Sequence, residues 1–313
     1  MLTGETCEEP MSDRIPVLLD TDPGSDIDDA ICLAYLLAQP RCELVGVTTV
    51  TGRDPRQRAS IVDAVCRAAG RTDVPIHAGV SVRYDEGTVV QPDVPQYAAL
   101  AKYPHRKAEE FPSNTAVEYL RRTINERPGE ITLLAIGPMG NLGALLAIDP
   151  EIPKKLKALV MMCGVFTNRL PGVGPREWNA YQDSAACRAV YRAPVAVHRS
   201  IGLDVTMQVQ LESGEAIKRF RAAGGPLDVV ADCCEIWRSH APKVTFHDPL
   251  AAVSIFDPGV CGWERGRVMV EPGQGRCGGL TMWDVAADGP HEVAVTVDAD
   301  RFYREYFGTV TRK

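Results

Sequence analysis

The chain has 313 residues, of which 45% are hydrophobic and 24% are charged, an ordinary composition for a folded globular protein. Its formal net charge of -7, without any cluster of lysine and arginine, argues against a nucleic-acid partner. No apolar run approaches the roughly 20 residues that span a bilayer, and residues 1–14 lack the apolar core of a secretory signal, so we expect no membrane association.

The ten cysteines form no C-x-x-C pair, and several lie inside apolar runs. Free cysteine behaves as a small buried hydrophobe, so this pattern predicts a reducing, cytoplasmic location and argues against a cysteine zinc site. No internal repeat or clear linker divides the chain. We therefore expect residues 1–14 to be a loose, flexible extension and residues 15–313 to form a single domain.

The first strong pattern is an acidic loop between a strand and a helix. Residues 15–19 form an apolar, β-branched run typical of a buried strand, residues 30–38 have the pattern of a buried helix, and a Pro-Gly turn lies between them. Five carboxylates are crowded into ten residues: Asp20, Asp22, Asp26, Asp28 and Asp29.

A helix start favours negative charge, but only one or two of these acids lie there. Oxygen ligands with no cysteine or histidine nearby suit Ca²⁺ or Mg²⁺, so the loop predicts a metal site. The alternative is a helix cap with a solvated acidic turn.

Predicted strands and helices then alternate along most of the chain. Strands are predicted at 42–50, 74–78, 131–136, 159–164 and 195–198. Helices are predicted at 56–69, from a cap at Ser113 or Asn114 to 126, from the end of segment 137–141 to 148, and at 183–191. Residues 79–112 show no clear period and are typical of a functional loop. This alternation predicts an α/β fold with an open, mostly parallel, Rossmann-like sheet and helices on both faces.

The last third of the chain changes character. Helical patterns occur at 212–223, 227–239 and 250–255, and antiparallel-looking strands at 266–270 and 292–297. We expect a small C-terminal α+β appendage on the parallel sheet.

Polar side chains recur near the ends of successive predicted strands. They are Asn141, Glu177, Asn179, Asp204, Thr206, His247 and Asp248. Because loops at one edge of a sheet converge in space, these groups are expected to face one pocket together with the acidic loop. For Asp204, bracing of a neighbouring loop is favoured over a direct role.

In these motifs the chain resembles the inosine–uridine-preferring nucleoside hydrolase family. The matching segments follow the family's order and are 20–24 with 28–30, 135–142, 177–179, 202–206 and 247–251. The resemblance implies a Ca²⁺-dependent enzyme that hydrolyses a ribonucleoside to ribose and free base. It also implies a homo-oligomer, either a dimer or a tetramer.

The resemblance further implies a role for each matching residue. It assigns the Ca²⁺ ion to the carboxylates of Asp22, Asp29 and Asp248 and to the backbone carbonyl of Gly140. It assigns the ribose hydroxyls to Asp28, Glu177 and Asn179. Asp22 is also expected to take the proton from a Ca²⁺-bound water, and His247 to protonate the leaving base. Anionic groups around the sugar would stabilise the positive charge that develops on it.

The chain departs from the family pattern at three places. Two extra residues lengthen the acidic loop, so Asp26 competes with Asp28 for the ribose role. The loop at 167–176 lacks the expected Gly-Asn pair, and Asn168 is the candidate to replace it. Met207 follows Thr206 where a histidine is common.

Some alternatives stay open at this stage. His240, with Trp237 on the preceding turn, competes with His247 for contact with the base, and the preferred base itself is open. A phosphotransferase of the haloacid dehalogenase type also uses an Asp-x-Asp after its first strand. It requires a downstream Ser/Thr, a Lys and a second acidic pair at strand ends, where this chain carries Asn141 and residues 177–179 instead. A binding homologue without catalysis is the other alternative, although Asp22, Asp29 and Asp248 are all retained.

Overall fold

A computed structural model of the protein describes residues 14–82, 94–167, 169–273 and 275–312. The strands are β1 (Ile15–Thr21), β2 (Cys42–Thr49), β3 (Ile76–Ala78), β4 (Thr132–Ala135), β5 (Ala158–Met162), β6 (His198–Ile201), β7 (Gln210–Glu212), β8 (Lys243–Thr245), β9 (Cys261–Val270), β10 (Thr281–Val285) and β11 (His291–Val297). The α-helices are α1 (Asp28–Ala38), α2 (Pro55–Ala68), α3 (Ala116–Glu126), α4 (Gly140–Ile148), α5 (Ile152–Lys155), α6 (Trp178–Gln182), α7 (Ser184–Tyr191), α8 (Leu203–Thr206), α9 (Ser213–Ala223), α10 (Pro226–Trp237), α11 (His247–Phe256) and α12 (Ala299–Val310).

One nine-stranded sheet organises the fold, in the order β10-β9-β11-β6-β5-β4-β1-β2-β3. The strands from β3 through β1 to β11 pair in parallel, whereas β9 is antiparallel to both of its neighbours. The chain runs from β1 outward to β3 and then returns to β4 on the other side of β1. In an open α/β sheet such a reversal creates a crevice at the carboxyl ends of the two strands, and ligands bind there.

Helices cover both faces of the sheet, as predicted. Along β1, Val17 and Leu19 belong to one hydrophobic cluster and Leu18 to the other, because successive side chains of a strand point to opposite faces. The first cluster includes α1, α2, α10 and α11, and the second includes α3, α4 and α7. The α/β class with a mostly parallel sheet is therefore confirmed.

The C-terminal segment extends the main sheet. β11 pairs in parallel with β6 and antiparallel with β9, and β10 adds the last strand at that edge. The two predicted antiparallel strands are thus present. They continue the main sheet and do not form a separate appendage, because β11 pairs with β6. A separate two-stranded sheet joins β7 to β8.

Some predicted boundaries differ from the structure. β6 begins at His198, opposite Leu159 of β5, so the predicted strand at 195–198 was placed three residues too early. Thr115 precedes α3 without a side-chain cap, whereas Asn114 lies in the left-handed region at φ 58°. The segment predicted as a long loop contains 3-10 helices at Pro95–Lys102 and Ala108–Glu110.

None of the helices that the structure describes is both long enough and apolar enough to cross a membrane.

Candidate functional site

The acidic loop lies at the carboxyl end of β1, in the crevice between β1 and β4. It is held closed by one of its own carboxylates: Asp29 Oδ1 accepts hydrogen bonds from the Thr21 hydroxyl at 2.5 Å and from the Asp22 backbone N–H at 2.9 Å. Asp28 and Asp29 occupy the first turn of α1, where the free N–H groups and the helix dipole favour negative charge. This confirms the predicted strand–loop–helix arrangement.

Asp28, Asp29 and Asp248 form a compact oxygen cluster. Each offers a carboxylate oxygen, and these oxygens all lie within 4.8 Å of one another. Asp248 is brought in from α11, and its backbone N–H donates to Asp28 Oδ2 at 3.1 Å. Oxygens that share one Ca²⁺ at about 2.3–2.6 Å lie no more than about 5 Å apart, so the cluster fits a hard divalent cation.

The charges of this cluster oppose one another. Burial, and then the neighbouring carboxylates, raise the pKa of Asp28 and of Asp248 well above the ordinary range. Burial also raises the pKa of Asp29. Several buried carboxylates can all stay ionised only if a cation compensates them. The electrostatics of the site therefore agree with its oxygen-only ligand set.

Asp22 lies beside this cluster, and three elements fix its position. A Cβ on Gly137 would lie only 3.0 Å from Asp22 Oδ1, so the loop after β4 can approach this closely only with glycine. The Thr51 hydroxyl, after β2, donates to Asp22 Oδ2 at 3.4 Å, and Thr51 itself has an unusual positive φ of 61°. Strained backbone of this kind is concentrated at functional sites.

Arg58 of α2 is a site residue that the sequence analysis missed. Its side chain is completely buried and its guanidinium lies 3.9 Å from Asp22 Oδ2. Because the amphipathic pattern of α2 offers several arginines, nothing local distinguishes Arg58 from its neighbours. The closest signal was the acidic loop itself, which needs a compensating cation.

Asp20 and Asn141 lie beneath the acidic loop. Asn141 Nδ2 donates to Asp20 Oδ1 at 2.7 Å and to the Thr49 carbonyl at 3.1 Å, and Asn141 Oδ1 accepts from the Val80 N–H at 2.9 Å. Burial raises the pKa of Asp20 to about 7. Asn141 therefore joins the ends of β1 and β2 to the segment after β3, which explains its place in the motif.

Glu177 ends the loop that follows β5, and Asn179 lies in the first turn of α6. Glu177 caps α6: its carboxylate accepts the N–H groups of Asn179 at 2.6 Å, Ala180 at 3.0 Å and Gly164 at 3.1 Å. Asn179 Nδ2 donates to the Ile136 carbonyl at 2.7 Å and to the Met162 carbonyl at 3.1 Å. These two carbonyls lie at the ends of β4 and β5. Both side chains are thus held rigidly across the end of β4.

His247 begins α11, directly before Asp248. Its Nδ1 lies 2.7 Å from Thr206 Oγ1, and Nε2 has no hydrogen-bond partner among the described residues. Burial lowers the pKa of His247 to about 4. The Thr206 hydroxyl therefore orients a ring that borders the same cavity as the acids.

A cavity of about 700 Å³ unites most of these groups. Of the predicted site residues, those that line it are Asp22, Asp26, Asp28, Asp29, Glu177, Asn179, His247 and Asp248. Aromatic rings form much of the remaining wall, and Trp237 is one of them. Arg176 and Tyr181 also line it, with the guanidinium 4.1 Å from the ring centre, and neither was singled out from the sequence.

Other predicted residues lie elsewhere or outside the described chain. Gly140 is the buried first residue of α4 and does not line the cavity, so its carbonyl as a metal ligand stays a prediction. Asn168 lies outside the described residues. Asp204 accepts the N–H groups of Phe166 and Thr167, both at 2.7 Å, and thus braces that loop as expected. His240 is exposed and is not part of the cavity wall.

Comparisons with known proteins all indicate the same family. The family model described as inosine-uridine preferring nucleoside hydrolase matches residues 17–304. Uridine nucleosidase 1 of Arabidopsis thaliana is 30% identical over 287 residues, which cover 86% of this chain and 81% of that protein. The pyrimidine-specific ribonucleoside hydrolase RihA of Citrobacter koseri is 28% identical over 302 residues, covering 92% of this chain and 94% of that protein.

Solved structures agree with the fold. A purine-preferring ribonucleoside hydrolase from Gardnerella vaginalis superposes with a TM-score of 0.81 at 26% identity, covering 95% of this chain and 98% of that one. A plant nucleoside hydrolase, at 24% identity and a TM-score of 0.79, covers 96% of this chain and 99% of its own and supports the fold alone.

Proposed function

The chain belongs to the inosine-uridine preferring nucleoside hydrolase family and is a nucleoside hydrolase, and we propose that it cleaves pyrimidine ribonucleosides to ribose and free base with the help of Ca²⁺. The pyrimidine preference is supported by the names of the uridine and pyrimidine hydrolases at 30% and 28% identity. The family match removes the phosphotransferase alternative.

The observation that carries this proposal is the meeting of two sets of groups in one cavity. The oxygen cluster of Asp28, Asp29 and Asp248 lies at the end of β1, and Glu177 with Asn179 lies at the end of β5. β4 separates these strands, whose axes are therefore about 10 Å apart at roughly 4.8 Å per strand. A ribose bound across the end of β4 would present hydroxyls to both sets.

Ca²⁺ would be held by the carboxylates of Asp22, Asp29 and Asp248, which leaves Asp28, beside them in the cavity, for a ribose hydroxyl. A bound ion would supply a lowered pKa for a water and a positive charge that attracts sugar hydroxyls. Asp22 accepts the proton of the attacking water, since its carboxylate is fixed from three sides beside the cluster.

The sugar is oriented by rigid groups. Asn179 uses both amide hydrogens on backbone carbonyls, which turns its Oδ1 into the group that accepts from a sugar hydroxyl. Burial raises the pKa of Glu177, and the three backbone N–H groups that its carboxylate accepts oppose this rise and favour the charged form. As the glycosidic bond breaks, positive charge develops on the sugar ring, and the carboxylates around the sugar stabilise it.

His247 would protonate the leaving base through Nε2, because Nδ1 is engaged by the Thr206 hydroxyl. Since burial lowers the pKa of His247 to about 4, its resting ring is neutral, and the ring takes up a proton from solvent before it passes that proton to the base. A planar base would stack on the Trp237 ring, which lines the same cavity. Asp28, in the first turn of α1, takes the ribose role in preference to the less buried Asp26, whose backbone carbonyl accepts from Gln96 Nε2 at 2.8 Å.

The cellular setting follows from the thiols. The nine cysteines that the structure describes are all free, and eight of them are buried, which favours a reducing compartment such as the cytoplasm. A homo-oligomer, dimer or tetramer, remains a proposal that rests on family resemblance.

The test is ribose release from a panel of purine and pyrimidine nucleosides, in Ca²⁺ and after chelation. We expect uridine to be cleaved fastest, chelation to abolish release, and Asp22→Asn to lower kcat/KM by about 10²–10⁴-fold, the contribution of a general base. Asp73→Asn, whose exposed side chain pairs with Arg71, is the matched control and should act like the natural protein. Tight Ca²⁺ binding with no release from any nucleoside would instead support a binding homologue.

A further inference from the structure

Arg58 is an unusual residue because it is a completely buried cation. It lies in α2, and no part of its side chain reaches solvent. Removing a guanidinium from water costs a large free energy unless charged and hydrogen-bonding partners replace the water. The partners of Arg58 therefore indicate why a buried guanidinium is needed at this position.

Arg58 has hydrogen-bond partners in two loops that border the functional site. The guanidinium donates through Nη1 to the carbonyls of Asp22 and of Pro23, the latter at 3.0 Å, and through Nε to the Thr51 carbonyl at 3.1 Å. It thus joins the loop after β1 to the loop after β2. The planar fork of arginine makes this possible, and lysine has no equivalent geometry.

Arg58 also acts on the acids by its charge. Its guanidinium lies 3.9 Å from Asp22 Oδ2. At this distance, and with both side chains buried, its positive charge offsets part of the negative charge of the acidic loop. A cation bound by the oxygen cluster would compensate the same carboxylates from the opposite, cavity side.

We infer that Arg58 is a positioning residue with two tasks: its fork fixes Asp22 for catalysis, and its charge keeps the acidic loop folded when no metal is bound. This inference rests on the proposed Ca²⁺-dependent function. Arg58 and Ca²⁺ then neutralise the same charges, so loss of one makes the protein depend more on the other.

The two tasks can be separated by two substitutions. Arg58→Met keeps the length and apolar volume of the side chain but removes both the charge and the fork. Arg58→Lys keeps the charge and removes the fork. Arg56→Met is the matched control, because Arg56 lies two residues away on the same helix, is partly exposed and pairs with Asp54 at 2.8 Å.

The measurements are the melting temperature in Ca²⁺ and in chelator, the Ca²⁺ dissociation constant by calorimetry, and kcat on the best nucleoside. For Arg58→Met we expect the gap between the two melting temperatures to widen by about 5 °C or more. The Ca²⁺ dissociation constant should tighten by roughly tenfold, because a nearby positive charge has been removed. kcat should fall by at least about tenfold, because Asp22 is misplaced.

For Arg58→Lys we expect the natural gap between melting temperatures and the same loss of kcat, and Arg56→Met should change none of these quantities. A merely structural role predicts equal destabilisation of Arg58→Met with and without Ca²⁺ and an unchanged or weaker dissociation constant; that result would overturn the inference while leaving the proposed function intact. If the natural protein binds no Ca²⁺, the proposed function fails first, and this inference with it.

Discussion

The two ends of the parallel strands bury ionisable groups in opposite ways, and we call them the carboxyl edge and the amino edge of the sheet. At the carboxyl edge, Asp22, Asp28, Asp29 and Asp248 gather like charges beside a cavity. At the amino edge, where β6 and β11 begin, His198 and His291 are directly paired, with ring centres 4.8 Å apart.

The histidines at the amino edge are neutral. His291 Nδ1 accepts the Val268 N–H at 2.9 Å, so Nε2 carries the hydrogen and donates to the Tyr191 carbonyl at 2.8 Å. Burial lowers the pKa of His198 to about 3. The comparison teaches that at the amino edge the chain pairs both His291 nitrogens itself and buries His198 without charge, with Nδ1 of His198 unpaired among the described residues. At the carboxyl edge it leaves negative charge that a ligand must compensate.

The largest expected effect is at the carboxyl edge. Asp248→Asn removes one charge from the oxygen cluster, so Ca²⁺ affinity and kcat/KM should each fall by about 10²–10³-fold, as for other single electrostatic groups in active sites. In chelator its melting temperature should be equal to or above the natural one, because mutual repulsion is relieved. Calorimetry and thermal melts measure both, and Asp257→Asn at the far end of α11 is the control. If Asp248→Asn bound Ca²⁺ as tightly as the natural protein, the carboxylates of the carboxyl edge would not be the charges that a ligand compensates.

The amino edge should control stability against acid. The pKa of His198 is near 6.5 when unfolded and about 3 when folded, so only the unfolded chain gains the proton as pH falls below about 6.5. The free energy of unfolding should therefore be largest above that pH and decrease by up to about 1.4 kcal/mol per pH unit below it. Urea titrations from pH 7.5 to 4.5 should show a shallower decrease for His198→Phe, whose ring still stacks on Tyr191.

For that variant, exposed His240→Gln is the control and should keep the natural slope. Equal slopes for all three proteins would mean that the histidine pair does not oppose protonation, and the contrast between the edges would be lost.

The smallest expected effect concerns Thr51, whose positive φ makes the carboxyl edge less stable. Thr51→Gly relieves the positive φ and should raise the free energy of unfolding by about 1 kcal/mol. It also removes the hydroxyl beside Asp22, a contact worth about two- to fivefold in kcat. Unfolding and rate measurements test both signs. Asn114→Gly, at φ 58° before α3, should leave kcat unchanged, since asparagine tolerates this conformation.

Local patterns were sufficient for much of this molecule. The alternation of apolar strands and helices predicted the parallel sheet, and the rule for strand ends predicted that Asp22, Glu177 and Asp248 would meet at one cavity. These inferences succeed because burial period and strand direction are local properties with global consequences.

What could not be predicted depends on pairing between distant segments. β6 starts at His198 because its pairing with β5 sets its register, although the apolar run at 195–197 looked more like a strand. Arg58 resembles the partly exposed Arg56 in sequence, and only the packing of α2 under the acidic loop distinguishes the two. β10 was missed because its partner β9 alone defines it.

The hydrogen bond from the Asp248 N–H to Asp28 Oδ2 spans 220 residues of chain. During synthesis the acidic loop therefore emerges long before Asp248, so the oxygen cluster cannot be complete until α11 has been made. The Asp248 amide is accordingly a single-atom reporter of assembly: its hydrogen exchange should slow only when both ends of the chain have met.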